Sequence, residues 1–261
     1  MSEYQYYEFL ALDQPLTEKQ MREVRSFSTR ARITPTSFVN EYNWGNFKGD
    51  VASFMTKYYD AFVYVANWGT HNLCFRLPKA GVDVERVRQY CVSDETHLRQ
   101  AGSYAIVSLS SQDEPSGWEE GEGWMSSLAP LRADLLAGDY RCLYLGWLNG
   151  VGRHEVDDDD IEPPVPPGLA ELTAPLRALA EFLRIDDSLI EAAAEASPPL
   201  NAEGDSTEAL QAWIAALPVQ EKDALLFRLT QEPPAIVQRE ILRRFRQVNR
   251  PRRDDTSSAR R

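Results

Sequence analysis

The chain has 261 residues, 43% of them hydrophobic, which is enough apolar material to bury a core without covalent staples. Its 28 Lys and Arg against 40 Asp and Glu leave a formal charge of −12, a field that repels a phosphate backbone and disfavours nucleic-acid binding by the surface as a whole. Cys74, Cys91 and Cys142 are too few and too widely spaced for a disulfide framework or a zinc ribbon, and neither a leader-like opening nor an apolar run of ~18 residues is present, so a soluble protein of the reducing cytoplasm is expected, with no membrane partner.

Residues 4–12 (YQYYEFLAL) carry large apolar groups on both alternating faces, which predicts a strand inside a sheet. A helix start follows. Thr17 and Gln20 have capping-box spacing, while Leu16 and Met21 occupy the positions of a hydrophobic staple, and the helix is expected to run to about Phe27. Asp50 caps a second helix reaching about Tyr59. Residues 62–66 (FVYVA) are a continuous apolar run of strand length and read as a buried central strand. A hairpin-like return is expected at 72–77, a short helix presenting Val84, Val87 and Cys91, and a further strand at 104–109. Residues 124–148 suggest a helix and then an ambiguous apolar run (LYLGWL) that suits an edge strand equally well. The alternation predicts an α+β module with a mixed sheet over residues 1–155.

Residues 156–168 (VDDDDIEPPVPPG) join four consecutive aspartates to four prolines and cannot sustain a ladder or a helix. They are expected to be a solvated linker between independent modules; the alternative is an extended strap held against its neighbours. An EF-hand loop is excluded because its spaced ligands and central glycine are missing. Beyond it, leucine-rich stripes from Leu169 to Leu183, from Leu210 to Leu217 and from Val237 to Val248 predict a small helical bundle over 169–248, broken at Pro198-Pro199, Pro218 and Pro233-Pro234. Residues 249–261 read as a basic disordered tail.

No P-loop, dinucleotide fingerprint, nucleophile elbow or zincin motif is present, so no catalytic residue, cofactor or metal site is assigned. The unusual local feature is a near-repeat, Asn43-Trp44-Gly45 and Asn67-Trp68-Gly69. Each copy suits a turn in which Gly takes a positive φ. Together they also suit a paired aromatic platform for a peptide or a base, with Arg30, Arg32 and Lys48 near the first copy as cationic contacts. His71, Cys74, Cys91 and His97 can be written as a zinc set, but positions 71 and 74 point to opposite faces of a strand. Glu119, Glu120 and Glu122 read as a mobile acidic loop, and His154 has no nucleophile to activate.

The strings YQYYEFLALDQPLT, RARITPTSFVNEYNWGNFKGD and FVYVANWGT resemble the opening of a family of uncharacterised bacterial proteins with no assigned activity. The resemblance covers roughly the first 80 residues. It implies that the chain is a short member or a fragment of a longer protein, and an accessory role in a bacterial stress or defence system. It transfers no catalytic residue. The expected function is therefore a non-catalytic, protein-binding adaptor or regulatory protein. One alternative is an enzyme of unrecognised family with a pocket near the two Asn-Trp-Gly segments. Another is nucleic-acid binding confined to Arg243, Arg244, Arg246 and Arg250.

Overall fold

The computed structural model describes residues 3–114, 120–157, 159–200, 207–231 and 234–249. In chain order the elements are β1 (Gln5–Leu10), α1 (Glu18–Arg25), β2 (Arg32–Ile33), β3 (Ser37–Tyr42), α2 (Val51–Tyr58), β4 (Ala61–Ala66), β5 (Thr70–Pro78), α3 (Val84–Arg88), β6 (Thr96–Ala101) and β7 (Tyr104–Gln112). Helices follow: α4 (Trp124–Leu128), α5 (Pro130–Ala137), α6 (Arg141–Gly152), α7 (Ala174–Leu183), α8 (Asp187–Ala196), α9 (Thr207–Ala216), α10 (Val219–Leu229) and α11 (Pro234–Asn249). The fold is α+β, as the alternation of elements predicts. Among the described residues seven strands form one sheet in the order β2-β3-β1-β4-β5-β7-β6, and every neighbouring pair of them is antiparallel, so the sheet is not mixed in direction.

Local chemistry accounts for the helix starts. The Thr17 hydroxyl accepts from Gln20 N and the Gln20 side chain accepts from Thr17 N, while Leu16 and Met21 pack into the core beneath. Asp50 accepts from Ser53 N at 2.7 Å and opens α2. One face of the sheet then carries an aromatic cluster from β1, β3, β4 and α2, centred on Phe9, whose ring lies 4.4–5.8 Å from those of Phe38, Phe47, Phe54, Tyr59 and Phe62. The other face carries Val63, Leu73 and Leu109 in one row under the later helices, and Gly146 of α6 lies against Leu109 and Thr96 so closely that a Cβ there would sit 2.6 Å from both. LYLGWL is thus part of a helix rather than an edge strand. Residues Arg141 to Gly150 are buried throughout, so no polar face remains to mark the helical period.

The chain divides into two compact units, residues 1–200 and 201–261, and the division does not fall at the Asp/Pro stretch. The reason lies in non-local hydrogen bonds. Tyr90 Oη donates to Pro164 O at 2.8 Å, Tyr144 Oη to the Glu162 carboxylate at 2.6 Å, and the Arg141 guanidinium to Gly168 O at 3.2 Å. Pro163, Pro166 and Gly168 are buried. Helix α7 then places Leu176, Leu179, Phe182 and Leu183 in the interior of the first unit. The stretch is the strap of the alternative expectation, and α7 and α8 belong with the sheet instead of with α9–α11. In the second unit Trp213 packs edge-on to Phe245 at 5.9 Å, and Leu225, Val237 and Phe245 are buried. Residues 250–261, most of the expected basic tail, lie outside the described residues.

Candidate functional site

The sheet topology decides where the two Asn-Trp-Gly segments meet. Strands β3 and β4 flank β1 and both run antiparallel to it, so Tyr42 and Ala66, their last residues, pair with the same residue, Gln5. Each strand continues directly into one copy of the repeat. The two turns therefore leave the same end of the sheet on either side of the start of β1, two strand spacings or about 10 Å apart.

Both turns are held by the interior. Gln5 is buried, and its Nε2 donates to Gly45 O (2.9 Å) and to Asn46 Oδ1 (2.8 Å), while its Oε1 accepts from Tyr7 Oη (2.9 Å) and Tyr64 Oη (3.0 Å). Every polar atom of that amide is satisfied, the condition under which a buried polar network rigidifies its surroundings. Burial is the main cause that pushes the Tyr7 and Tyr64 hydroxyls above their ordinary range, so they remain protonated donors to Gln5. Phe47 plugs the first loop into the aromatic cluster. In the second turn Tyr4 and Asn67 exchange Tyr4 N to Asn67 Oδ1 and Asn67 N to Tyr4 O, both at 3.0 Å, and Gln112 Nε2 donates to Trp68 O at 3.1 Å. Gly69 O accepts from Arg184 at 2.9 Å and from Asp113 N at 3.1 Å. Trp44 and Trp68 project from these fixed supports with 77% and 38% of their surface exposed.

The two glycines differ in what surrounds them. Both have positive φ, +76° at Gly45 and +90° at Gly69, but a Cβ at Gly69 would lie 1.7 Å from Asp113 O whereas one at Gly45 meets nothing within 4 Å. Gly45→Ala should cost only the left-handed backbone, about 1–2 kcal/mol. Gly69→Ala adds a backbone clash and should cost about 2–4 kcal/mol. Urea unfolding of the two variants checks this; equal losses would show that the 66–69 turn relaxes freely.

Asn43, Trp44 and Lys48 are exposed on the first turn, and Asn67 and Trp68 lie on the second. The cations are not all with them. Arg30 is exposed ahead of β2, and Arg32 on β2 stands in register with Val39 and then Glu8, in the row belonging to the face opposite Gln5 and Tyr7. There it lies near a pair that the residue types alone did not single out. Tyr6 Oη donates to Glu8 Oε2 at 2.8 Å, and burial above all, with the Glu122 carboxylate adding, raises Glu8 above the usual carboxylate range despite Tyr6 and Arg32. A lone glutamate in an aromatic strand is the signal that marks this pair.

The zinc set does not assemble. His71 is buried on the helix-covered face, its Nδ1 2.6 Å from Phe182 O and its Nε2 2.9 Å from the Arg184 guanidinium. Cys74 faces the other side, against Ser108 and Asn72, and burial pushes its thiol up to about 12. His97 is exposed on β6. Among the described residues no group of three or more His, Cys, Asp or Glu is placed to hold a metal ion. Glu120 and Glu122 are exposed, and Glu119 lies outside the described residues. His154 sits at positive φ in the turn after α6.

A trough of about 710 Å³ between α7 and α8 is lined by residues including Leu172, Ala180, Glu181, Ile185 and Ile190, none of them from the two turns. Of the arginines considered for nucleic acid, Arg244 pairs with Glu240 and, at 3.5 Å, with Glu221; Arg243 and Arg246 lie along α11, and Arg250 is outside the described residues. No helix among the described residues is long and apolar enough to cross a membrane. Fold and site together define an α+β protein whose antiparallel sheet ends in two braced tryptophan turns. No family model, curated protein or solved structure matches the chain.

Proposed function

We propose that the protein is a non-catalytic adaptor or accessory protein that presents the Trp44–Trp68 end of its sheet to a protein partner. The observation that carries this reading is the pair of exposed indoles on turns anchored by buried hydrogen bonds. An exposed tryptophan brings a large apolar area to an interface, and one held on a rigid turn loses little conformational freedom when it binds; such residues dominate binding energetics. Asn43 and Lys48 on the first turn supply a polar rim. The free thiols of Cys74, Cys91 and Cys142 suit a reducing compartment. The resemblance to a bacterial family supports a place in a stress or defence system.

The test compares affinity purification from the native host of the wild-type chain and of Trp44→Ala/Trp68→Ala. Both side chains are exposed, so the variant should melt within ~1 kcal/mol of wild type, yet lose its specific partner. Recovery of the same partner by both, or turnover of a substrate lost with the same two substitutions, would overturn the reading.

A further inference from the structure

The first compact unit carries a cationic trough and an acidic turn that match each other in charge and in apolar content. The trough holds about 470 Å³ and is lined by Glu18, Met21, Arg22 and Arg25 of α1 and by Ile33 of β2. Met21 and Ile33 are its half-buried apolar part. Around it Lys19, Arg22, Arg25, Arg30 and Arg32 are all exposed, and the one carboxylate within residues 19–32, Glu23, is taken by Lys57 at 2.8 Å. On a chain with 28 cations against 40 carboxylates this is a local reversal of sign. The acidic turn is the opposite case. Residues 157–160 are four consecutive aspartates, and Ile161 beside them is 89% exposed, the highest value for a large apolar side chain among the described residues. Asp157 N donates to Asp160 Oδ2 at 3.1 Å and Asp160 N to Asp157 O at 3.0 Å, while Tyr144 holds the next residue, Glu162. A segment braced in this way loses little freedom when it binds.

We propose that the chain associates with itself head to tail, the 157–161 turn of one copy seating in the α1–β2 trough of a second. Ile161 then lies against Met21 and Ile33, and the aspartates meet the surrounding arginines. Topology rules out the same contact within one molecule. Strand β2 is one edge of the sheet, whereas Gly150 of α6 lies against both Ser93, just before the opposite edge strand β6, and Val156, just before the aspartates. Six strand spacings, about 29 Å, separate the two edges. Charge selects the occupant: two copies of net charge −12 repel over most of their surfaces, and a positive trough facing an aspartate turn is where they attract. Because the two surfaces differ, the contact is heterologous, and each added copy brings a further trough or turn. One turn in one trough buries less than the roughly 1,200 Å² of a standard interface, so assembly is concentration-dependent.

Sedimentation of the full chain from about 1 μM to about 1 mM reads this directly, at about 0.15 M salt, where a Debye length of about 8 Å screens distant charges more than contact pairs. The wild type should shift from monomer towards dimer and larger species across the range. Ile161→Gln and Arg22→Glu change exposed side chains and should each weaken association about tenfold with an unchanged melt. Their equimolar mixture is the sharper reading. The Arg22→Glu copy keeps a sound turn and the Ile161→Gln copy a sound trough, so the two should pair more strongly than either variant does alone, and the pairs should stop at dimers. A wild type that stays monomeric throughout overturns the proposal, and binding of a peptide of residues 156–162 by that monomer would hand the trough to an acidic segment of a different protein. Association indifferent to both substitutions, or a mixture no stronger than its components, overturns it as well.

Discussion

A chain ending at residue 155 is expected to lose its cooperative thermal melt, whereas one ending at Leu200 should keep it. The shorter chain lacks α7, whose Leu176, Leu179, Phe182 and Leu183 are buried in the first compact unit. At about 1.5–3 kcal/mol for each fully buried large side chain, those four contribute roughly 6–12 kcal/mol, the size of the whole stability of an ordinary domain at about 5–15 kcal/mol. The truncation also uncovers His71, on which the Phe182 ring stacks at 4.6 Å, and removes Arg184, which ties the C-terminal end of α7 to Gly69 O. Calorimetry of the two fragments decides the matter. A cooperative melt of the 1–155 fragment at the temperature of the 1–200 fragment would mean that the sheet and its first six helices suffice for the core.

Asp60→Asn should be the most costly single substitution of a polar residue. Asp60 is buried and accepts from Leu12 N and Asp13 N at 2.7 and 2.9 Å and from Arg76 at 2.7 Å; Arg132 approaches it at 3.4 Å while binding Asp13 through both terminal nitrogens. The side chains of Arg76 and Arg132 are themselves largely buried. Removing the shared counter-charge leaves guanidinium groups under-compensated, a defect that costs about 3–5 kcal/mol in buried pairs. The pH dependence has a definite sign. Burial pushes the Asp60 carboxyl up, but the Arg132 and Arg76 charges and the Asp13 N–H outweigh it and hold it below the usual carboxylate range. A carboxylate depressed in the folded state contributes stability that is present above its unfolded pKa, about 3.9, and is lost as pH falls through the folded value. The wild type should therefore lose stability on acidification below about pH 4 more steeply than Asp60→Asn. Urea midpoints between about pH 2 and pH 7 measure both effects; a loss under 1 kcal/mol at neutral pH, or identical acid slopes, would mean that water reaches the network.

Much of this fold was legible where side-chain pattern and local hydrogen bonding coincide. The aromatic run at β1, the apolar run at β4, the Thr17 capping box and the Asp50 cap all appear where expected. Strands β3 and β6 did not stand out. Asn40 and Glu41 interrupt the first, and the second is an edge strand, THLRQA, with only Thr96 buried and Arg99 turned to solvent. Helix α6 hid for the opposite reason, being buried on all sides. The boundary at 156–168 failed because composition reports the absence of local hydrogen bonds but is silent on partners such as Tyr90, 74 residues away from Pro164. At the candidate site the repeat itself was plain in the letters. That its copies share one end of the sheet was not, because this depends on β1 lying between β3 and β4.

The most direct test of the binding role follows the individual indoles of the chain, labelled with 5-fluorotryptophan and assigned by single substitution, as the recovered partner is titrated in. Trp147 is buried on α6 against Tyr144 and Trp213 packs on Phe245 in the second unit, so both serve as internal references. If the sheet end is the partner's docking site, the Trp44 and Trp68 resonances shift and saturate together, at the same partner concentration, while Trp147 and Trp213 hold still. Saturating shifts at Trp213 with Trp44 and Trp68 unmoved would contradict it and transfer the binding role to the helical unit.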